Sequence, residues 1–430
     1  MITKFVVKNF RSIVDLVLDM TYGEKRAPNG YQNMVRMPFL ESSERGQRCV
    51  PCMALCGANA AGKSNILRAL ATLHDILAPR GRGVIGCFDG NLIVPCGDNT
   101  TFELTFIEEK CLFCYTLCYG EKGISKEVLY SNGQLVFKID ESGCDLEKLV
   151  SKGYDLDRIK RIIEVECRDS RTSVLSRPLL SVLGFGYPGL NKDVSIAFGF
   201  FGKMDVWGDL NVQTVFPLAV DILSEVAGIS RDEATDRIVS IVKKLDIEVL
   251  DIKIAENPHA DERRKDQYDF RTNRDGAAEY DVVIHSKHKN IRGEDVFFRF
   301  MKQESEGTKR LATIIGFLLS ALEKGATICI DEFDWALHPL VVREMLLMFM
   351  RKDMNPKGAQ LIFTTHMTDL LEEGVLRISE VCLINKNLHV GTKARRLVDI
   401  KNAGEDIRNV TNFRKQYLDG FYQAIPHPAL

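Results

Sequence analysis

The sequence predicts an α/β protein in which two α/β segments, residues 1–145 and 246–430, are separated by a mainly helical insert, 146–245. Three observations predict it. A short apolar run, a glycine-rich octapeptide and a helically spaced run follow one another at 53–77. Residues 101–139 carry four β-rich runs separated by short turns. Two further apolar runs, 326–330 and 361–365, each end abruptly in polar residues, Asp331-Glu332 and His366.

The octapeptide is Gly57-Ala58-Asn59-Ala60-Ala61-Gly62-Lys63-Ser64. It fits G-x-x-x-x-G-K-[ST], in which backbone N–H groups and a helix N-terminus surround phosphate oxygens. Met53-Ala54-Leu55-Cys56 precedes it as a buried strand. Ile66, Leu67, Leu70, Leu73 and Leu77 follow it at helical spacing. With glycine at about 7% of residues, a chance match in a chain this long is a roughly 1–2% event, and the flanking strand and helix lower it further. Lys63 is the residue that would place a point charge on the β- and γ-phosphates, and Ser64 the one that would ligate Mg²⁺.

Bulk properties bound the partners. The chain has 430 residues, 45% hydrophobic and 27% charged, enough for two or three domains and a sizeable core. A net charge of −2 leaves no general polyanion footprint, so any nucleic-acid contact needs a local patch. No run of 18 apolar residues is present, which argues against a membrane span. The opening Met1-Ile2-Thr3-Lys4-Phe5 is not a signal peptide, being interrupted by Lys8 and Arg11. Twelve cysteines lie in strand-like and helical stretches, which suits a reduced, cytoplasmic protein. Cys49/52/56 and Cys111/114/118 have zinc-like spacing, but they sit in apolar strand contexts and read as buried thiols, with zinc the alternative.

In chain order, residues 2–20 form two β-rich runs around Asn9-Phe10-Arg11-Ser12, and 21–49 and 79–99 are irregular. The runs at 102–106, 112–119, 125–130 and 135–139 make an antiparallel meander, with Asn132-Gly133 the clearest hairpin turn. Ser230-x-x-Glu233 is a capping box opening a helix through Leu245. Strands are expected at 247–254, 280–285 and 296–301, with a charged loop or loose hairpin at 256–280. Gln303-Glu304-Ser305-Glu306-Gly307 then leads into a helix with Leu311, Ile314, Ile315, Leu318, Leu319 and Leu322 on one face. A small side chain and bare backbone at that helix start suit an anion, although a plain serine N-cap has the same appearance. Asp331 at a strand's C-terminal end can hold a Mg²⁺ shell, Glu332 can polarise a water, and His366 can touch a γ-phosphate.

Taken together these motifs resemble those of the ABC-type ATPases: Walker A at 57–64, signature at 305–307, Walker B at 327–332, a D-loop-like Asp334-Trp335-Ala336-Leu337-His338-Pro339 and the switch histidine His366. The signature departs from Leu-Ser-Gly-Gly, with Glu at 304 and 306. The wide separation of Lys63 and Asp331 is similar to the SMC, RecF and OLD group, as is Lys8-Asn9-Phe10-Arg11-Ser12, whose Arg11 and Ser12 that resemblance assigns to the nucleotide. No Toprim-type Glu followed by Asp-x-Asp appears after His366, so no nuclease is read in the chain. The sequence also resembles RloA-like and AbiL-like bacterial defence ATPases, including the AriA type of PARIS systems, through its opening, its loop, Ser-Glu-Gly-Thr-Lys-Arg-Leu, Asp-Glu-Phe-Asp, Leu-His-Pro and the tail Phe-Arg-Lys-Gln-Tyr-Leu-Asp-Gly.

The expectation is therefore an ABC-type (SMC/RecF-like) head hydrolysing ATP with Mg²⁺. Lys63, Glu332 and His366 are the expected catalytic residues. Gly57, Asn59, Ala60, Ala61, Gly62, Lys63, Ser64 and Asn65 with Arg11 and Ser12 would contact nucleotide, and Ser64 and Asp331 would hold the metal. Ser305 and Gly307 would complete the site of a second copy, giving a homodimer or larger homo-oligomer. The resemblance adds a separately encoded effector. Alternatives are a RecF-like DNA clamp, from the lysines and arginines between Lys386 and Lys415, and a non-hydrolysing scaffold.

Overall fold

The computed structural model describes residues 1–22, 35–36, 48–78, 83–84, 87, 89–90, 99–151, 154–169, 174–208, 212–245, 248–256, 282–371, 376–387, 389–400 and 413–419. All but the first residue of the charged stretch expected at 256–280 lies outside them, as does most of the expected loop at 21–49. The chain packs as two units: 1–208 with 326–333 and 349–430, and 209–325 with 334–348. The cut differs from the expected segments: residues 146–208 go with the first unit, and 246–325 and 334–348 go with the second.

The first unit is α/β and holds two large sheets. One has six strands, in the order Asp205–Trp207, Thr327–Ile330, Gln360–Thr365, Cys52–Cys56, Val381–Asn387, Gly391–Arg396. The first five are parallel and the last is antiparallel. Every residue of Thr327–Ile330, Gln360–Thr365 and Cys52–Cys56 is buried, which is why these strands read as continuous apolar runs. Helix Lys63–Leu77 follows the central strand and buries Ile66, Leu67, Ala69, Leu70, Leu73, Ile76 and Leu77.

The other sheet has seven antiparallel strands. Ile2–Phe10 pairs with Ile13–Asp19 on one side and Asn99–Glu108 on the other, and the meander continues through Cys111–Gly120, Gly123–Ser131, Gln134–Asp140 and Gly143–Asp145. The Asn132-Gly133 turn has φ of 49° and 75°, positive at both residues as a type I′ hairpin needs. Fully buried residues alternate with partly buried ones from Thr100 to Phe106, so one face of this sheet is apolar. Helix Lys192–Lys203 covers it, with Phe200 stacked on Phe106 at 4.2 Å and Phe201 edge-on at 5.6 Å. Helix Leu179–Gly186 is anchored to the same sheet by buried Glu127, which accepts the N–H groups of Leu179 (2.7 Å) and Leu180 (2.9 Å) and the Tyr115 hydroxyl (3.0 Å). These contacts draw 146–208 away from the expected insert.

Backbone and side-chain bonds join the sheets, among them those of one buried amide. Thr392 N–H donates to Ser12 O at 2.7 Å. At Gly391 a β-carbon would stand 2.6 Å from that same oxygen, so only glycine allows the approach. Gln360, fully buried, accepts from Ile2 N–H (2.7 Å) and donates to Ile2 O (2.9 Å) and Val50 O (3.0 Å).

In the second unit, helices Val212–Ala227, Arg231–Lys244 and Glu306–Lys324 pack with a three-stranded antiparallel sheet, Asp251–Glu256, Val282–Lys289, Asp295–Arg299. The expected strand at 247–254 therefore begins four residues later and extends to Glu256. The capping box at Ser230 and Glu233 is formed. Gly316 sits where the helices meet: a β-carbon there would be 2.9 Å from Ala219 Cβ and 3.1 Å from Ile238 Cδ1. Among the described residues no helix is long and apolar enough to cross a membrane.

Candidate nucleotide site

Three neighbouring parallel strands end at one sheet edge. Thr365 pairs with Cys56, and Ile330 with Phe363. Gly57, Asp331 and His366 are the residues that continue the three strands, within about two strand spacings, roughly 10 Å. Ligands of open α/β sheets sit outside the carboxyl ends of strands.

The loop is shaped by its small residues. A β-carbon at Gly57 would stand 2.2 Å from Ile384 O, and one at Gly62, whose φ is +101°, 2.2 Å from Thr392 Oγ1. Ala60 is also left-handed, with φ 60°. Asn59 and Ala60 are exposed, while Ala61 and Lys63 are buried. The Lys63 ammonium folds back onto the loop, donating to Gly57 O (2.8 Å) and Ala58 O (2.9 Å). Helix Lys63–Leu77 has no side-chain cap and no acidic residue in its first turn, so the positive end of its dipole is left for an anion. Ser64 and Asp331 are hard oxygen donors, the ligand type Mg²⁺ takes.

Behind the loop runs a directional hydrogen-bond chain. Asn65 Nδ2 donates to Ser12 Oγ (2.7 Å), Ser12 is 2.8 Å from Thr392 Oγ1, and Thr392 donates to Ala61 O (3.2 Å). With both ends fixed, Ser12 is the donor to Thr392. Ser12 is 4% exposed, so its hydroxyl braces the loop from inside. Arg11, with φ 51°, donates its N–H to Asp89 O (2.9 Å) and ion-pairs with the Asp89 carboxylate.

The carboxylate turn is pinned on both sides. Asp331 N–H donates to Trp207 O (3.0 Å), Glu332 N–H to Thr364 Oγ1 (2.7 Å), and Phe333 N–H to Thr364 O (3.1 Å). The Thr364 hydroxyl also hydrogen-bonds Asp331 Oδ1. Glu332 has φ 47°, an uncommon conformation for a residue with a side chain. Its side chain and that of His366 are exposed.

Ser305 and Gly307 belong to the second unit. Ser305 caps helix Glu306–Lys324, accepting Thr308 N–H at 3.1 Å. A β-carbon at Gly307 would be 2.7 Å from Ala336 O, so glycine lets the D-loop-like turn lie against the helix start. In that turn Trp335 is half exposed, its ring 5.3 Å from the Arg310 guanidinium. Several residues of the basic stretch have internal partners. Lys393 donates to Asp15 O, Arg396 pairs with Asp19 and Asp399, and Arg414 with Asp369. Lys401 and Arg408 lie outside the described residues.

Sequence reasoning missed Thr364, Thr392 and Asp89. Thr364 had a faint signal, two positions before the strand-end histidine. Thr392 and Asp89 had none, because their partners lie far away in the chain.

Residues 187–372 match the family model described as "AAA domain, putative AbiEii toxin, Type IV TA system". The match takes in Ser305, Asp331, Glu332 and His366 but not the 57–64 loop. Comparison with curated proteins found no match. Among solved structures the chain is similar to an SmcHead bound to the C-winged helix domain of ScpA (14% identity, 92% of this chain and 96% of that chain, TM-score 0.40). It is also similar to the SMC head domain from Thermotoga maritima (14%, 93% and 99%, TM-score 0.36). A third is the Smc head domain with an extended coiled coil bound to the C-terminal domain of ScpA, derived from Pyrococcus furiosus (12%, 92% and 96%, TM-score 0.40).

Proposed function

We propose that the protein is a Mg²⁺-dependent ATPase whose nucleotide lies on the 57–64 loop. The observation that carries the reading is the shared edge of three parallel strands, from which the loop, Asp331-Glu332 and His366 all emerge. An uncapped helix start beside a buried lysine adds the positive field that a triphosphate needs.

In this reading the loop N–H groups and Lys63 hold the phosphates, with Lys63 exchanging its bonds to Gly57 O and Ala58 O for phosphate oxygens. Ser64 and Asp331 would hold Mg²⁺, which when bound supplies charge neutralisation on the phosphate oxygens. Glu332 takes a proton from the attacking water as its oxygen bonds to the γ-phosphorus. The bond from that phosphorus to the bridging oxygen breaks, and ADP leaves with the electron pair. His366 orients the γ-phosphoryl group.

Pairing of two heads through ATP, with Ser305 and Gly307 facing the partner's nucleotide, is the mode that the ABC resemblance supports. The matched family's description names a toxin–antitoxin system, which agrees with a regulatory ATPase of bacterial defence controlling a separately encoded effector. The internal partners of Lys393, Arg396 and Arg414 favour this over a DNA clamp built on the basic stretch.

The test is titration calorimetry of ATP into wild type and Lys63→Ala, with circular dichroism to verify folding. A hydrogen-bonded charge is worth ~1.5–3 kcal/mol, about 10–150-fold in affinity. Equal affinity and equal turnover in the two proteins would remove the loop from the site.

A further inference from the structure

We infer that Thr364 is the positioning residue of the carboxylate pair: its hydroxyl fixes Asp331 for the metal and Glu332 for the water together. The inference rests on the ATPase reading above and adds a residue that none of the motifs contains.

The geometry is specific. Thr364 is fully buried, on a strand buried at every position. Its Oγ1 accepts the Glu332 N–H at 2.7 Å, so its own proton is directed to Asp331 Oδ1. A hydroxyl has one proton to give and lone pairs to receive, and here both capacities are used on adjacent residues. The Thr364 carbonyl accepts the next N–H, that of Phe333, at 3.1 Å. One residue therefore engages 331, 332 and 333 in turn.

This arrangement matters because Glu332 is left-handed at φ 47°. Such a residue relaxes unless its surroundings over-determine it. Three N–H bonds hold the turn: Asp331 to Trp207 O at 3.0 Å, and Glu332 and Phe333 to the Thr364 hydroxyl and carbonyl. The Thr364 hydroxyl holds one Asp331 oxygen and so fixes the orientation of the carboxylate within the turn. A ligating carboxylate is commonly held in this way by an outer hydrogen bond, and losing such a bond typically costs 10–100-fold in metal affinity or activity.

The test uses Thr364→Val, which keeps the shape and removes the hydroxyl, and Thr364→Ser, which keeps the hydroxyl. Three readouts are taken on the full chain: deuterium exchange of the peptide spanning 331–333, Mn²⁺ binding with ADP by electron paramagnetic resonance, and ATPase kinetics. In Thr364→Val the Glu332 amide should exchange at least about tenfold faster. Mn²⁺ affinity and kcat should each fall about 10–100-fold, while ADP affinity without metal stays within about threefold. Thr364→Ser should restore all three. A purely structural threonine predicts lower thermal stability with Mn²⁺ affinity and kcat per folded molecule unchanged, and that result overturns the inference, as does a serine variant as impaired as valine. Lack of turnover in the wild type would overturn the ATPase reading instead; the exchange and Mn²⁺ measurements would still decide for or against Thr364.

Discussion

Replacing Ser12 with alanine separates two roles for this residue. If it touches nucleotide, as its resemblance to the SMC, RecF and OLD group implies, Ser12→Ala weakens ATP binding and leaves the ligand-free protein as stable as before. If it braces the loop, the cost appears without ligand. The structure gives Ser12 Oγ two bonds, from Asn65 Nδ2 at 2.7 Å and to Thr392 Oγ1 at 2.8 Å, in a site 4% exposed. At a net ~1 kcal/mol per bond, Ser12→Ala should cost about 2 kcal/mol. Thr392→Val, which loses the bond from Ser12 and the 3.2 Å bond to Ala61 O, should cost a similar ~2 kcal/mol. The two variants share one bond, so the double mutant should cost about 1 kcal/mol less than the sum of the singles. Urea unfolding of the four proteins without nucleotide measures the coupling, with unchanged slopes as the check on the unfolding model. Strict additivity, or a Ser12→Ala protein as stable as wild type, would refute the brace. A secondary loss of ATP affinity is expected in both variants, since Ala61 lies inside the loop.

Glu332→Gln should bind ATP with wild-type affinity and hydrolyse it about 10²–10⁴-fold more slowly, the usual worth of a general base; rapid-quench turnover decides, and a wild-type rate would place the base elsewhere. Ser305→Arg should bind ATP but lose concentration-dependent turnover, and mixing it with Lys63→Ala should restore activity, because one pairing joins an intact loop to an intact signature. The loss of the Ser305 cap adds about 1 kcal/mol of instability, so melting temperature is measured alongside; a wild-type rate at every concentration would leave 303–311 as a capped helix only. Burial raises the Glu127 carboxyl to about 7 from 4.5, against the hydrogen bonds from Leu180, Leu179 and Tyr115 that pull it down. The folded state then holds the proton more tightly than the unfolded, so this contribution is fully present below about pH 4.5 and is lost as pH rises through about 7, by ~3 kcal/mol. Urea midpoints from pH 5 to 8 should therefore fall more steeply in wild type than in Glu127→Gln, and parallel curves would contradict the buried ionisation.

The sequence made the strand-loop-helix at 52–77 legible because all its information is local: an apolar run, two glycines and a 3.6-residue period. The meander was legible for the same reason, its turns marked by Asn-Gly and by charged pairs. What could not be read was the order of the parallel strands. Cys52–Cys56 lies between Gln360–Thr365 and Val381–Asn387, strands some three hundred residues away, and no local pattern encodes a crossover partner. The short Asp205–Trp207 strand was invisible, since three residues carry no period.

The same distinction runs through the site. Lys63, Asp331, Glu332 and His366 are side chains that chemistry requires at strand ends and helix starts, so their positions announce them. The groups that hold them in place are recognised only by contact. Ser12 and Thr392 are 380 residues apart and their hydroxyls are 2.8 Å apart; Thr364 reaches back 33 residues to Asp331. A threonine that braces and a threonine that merely fills a buried strand are identical in sequence. The distinction lies in whether both capacities of the hydroxyl are used. At Thr364 they are, on two neighbouring residues, one of them in a left-handed conformation that needs such support. The expected metal ligand and the expected base are thus not independent positions on the sheet edge. A change at Thr364 should move both together, while a change at Ser12 or Thr392 should move the phosphate loop and leave the carboxylate turn as it is.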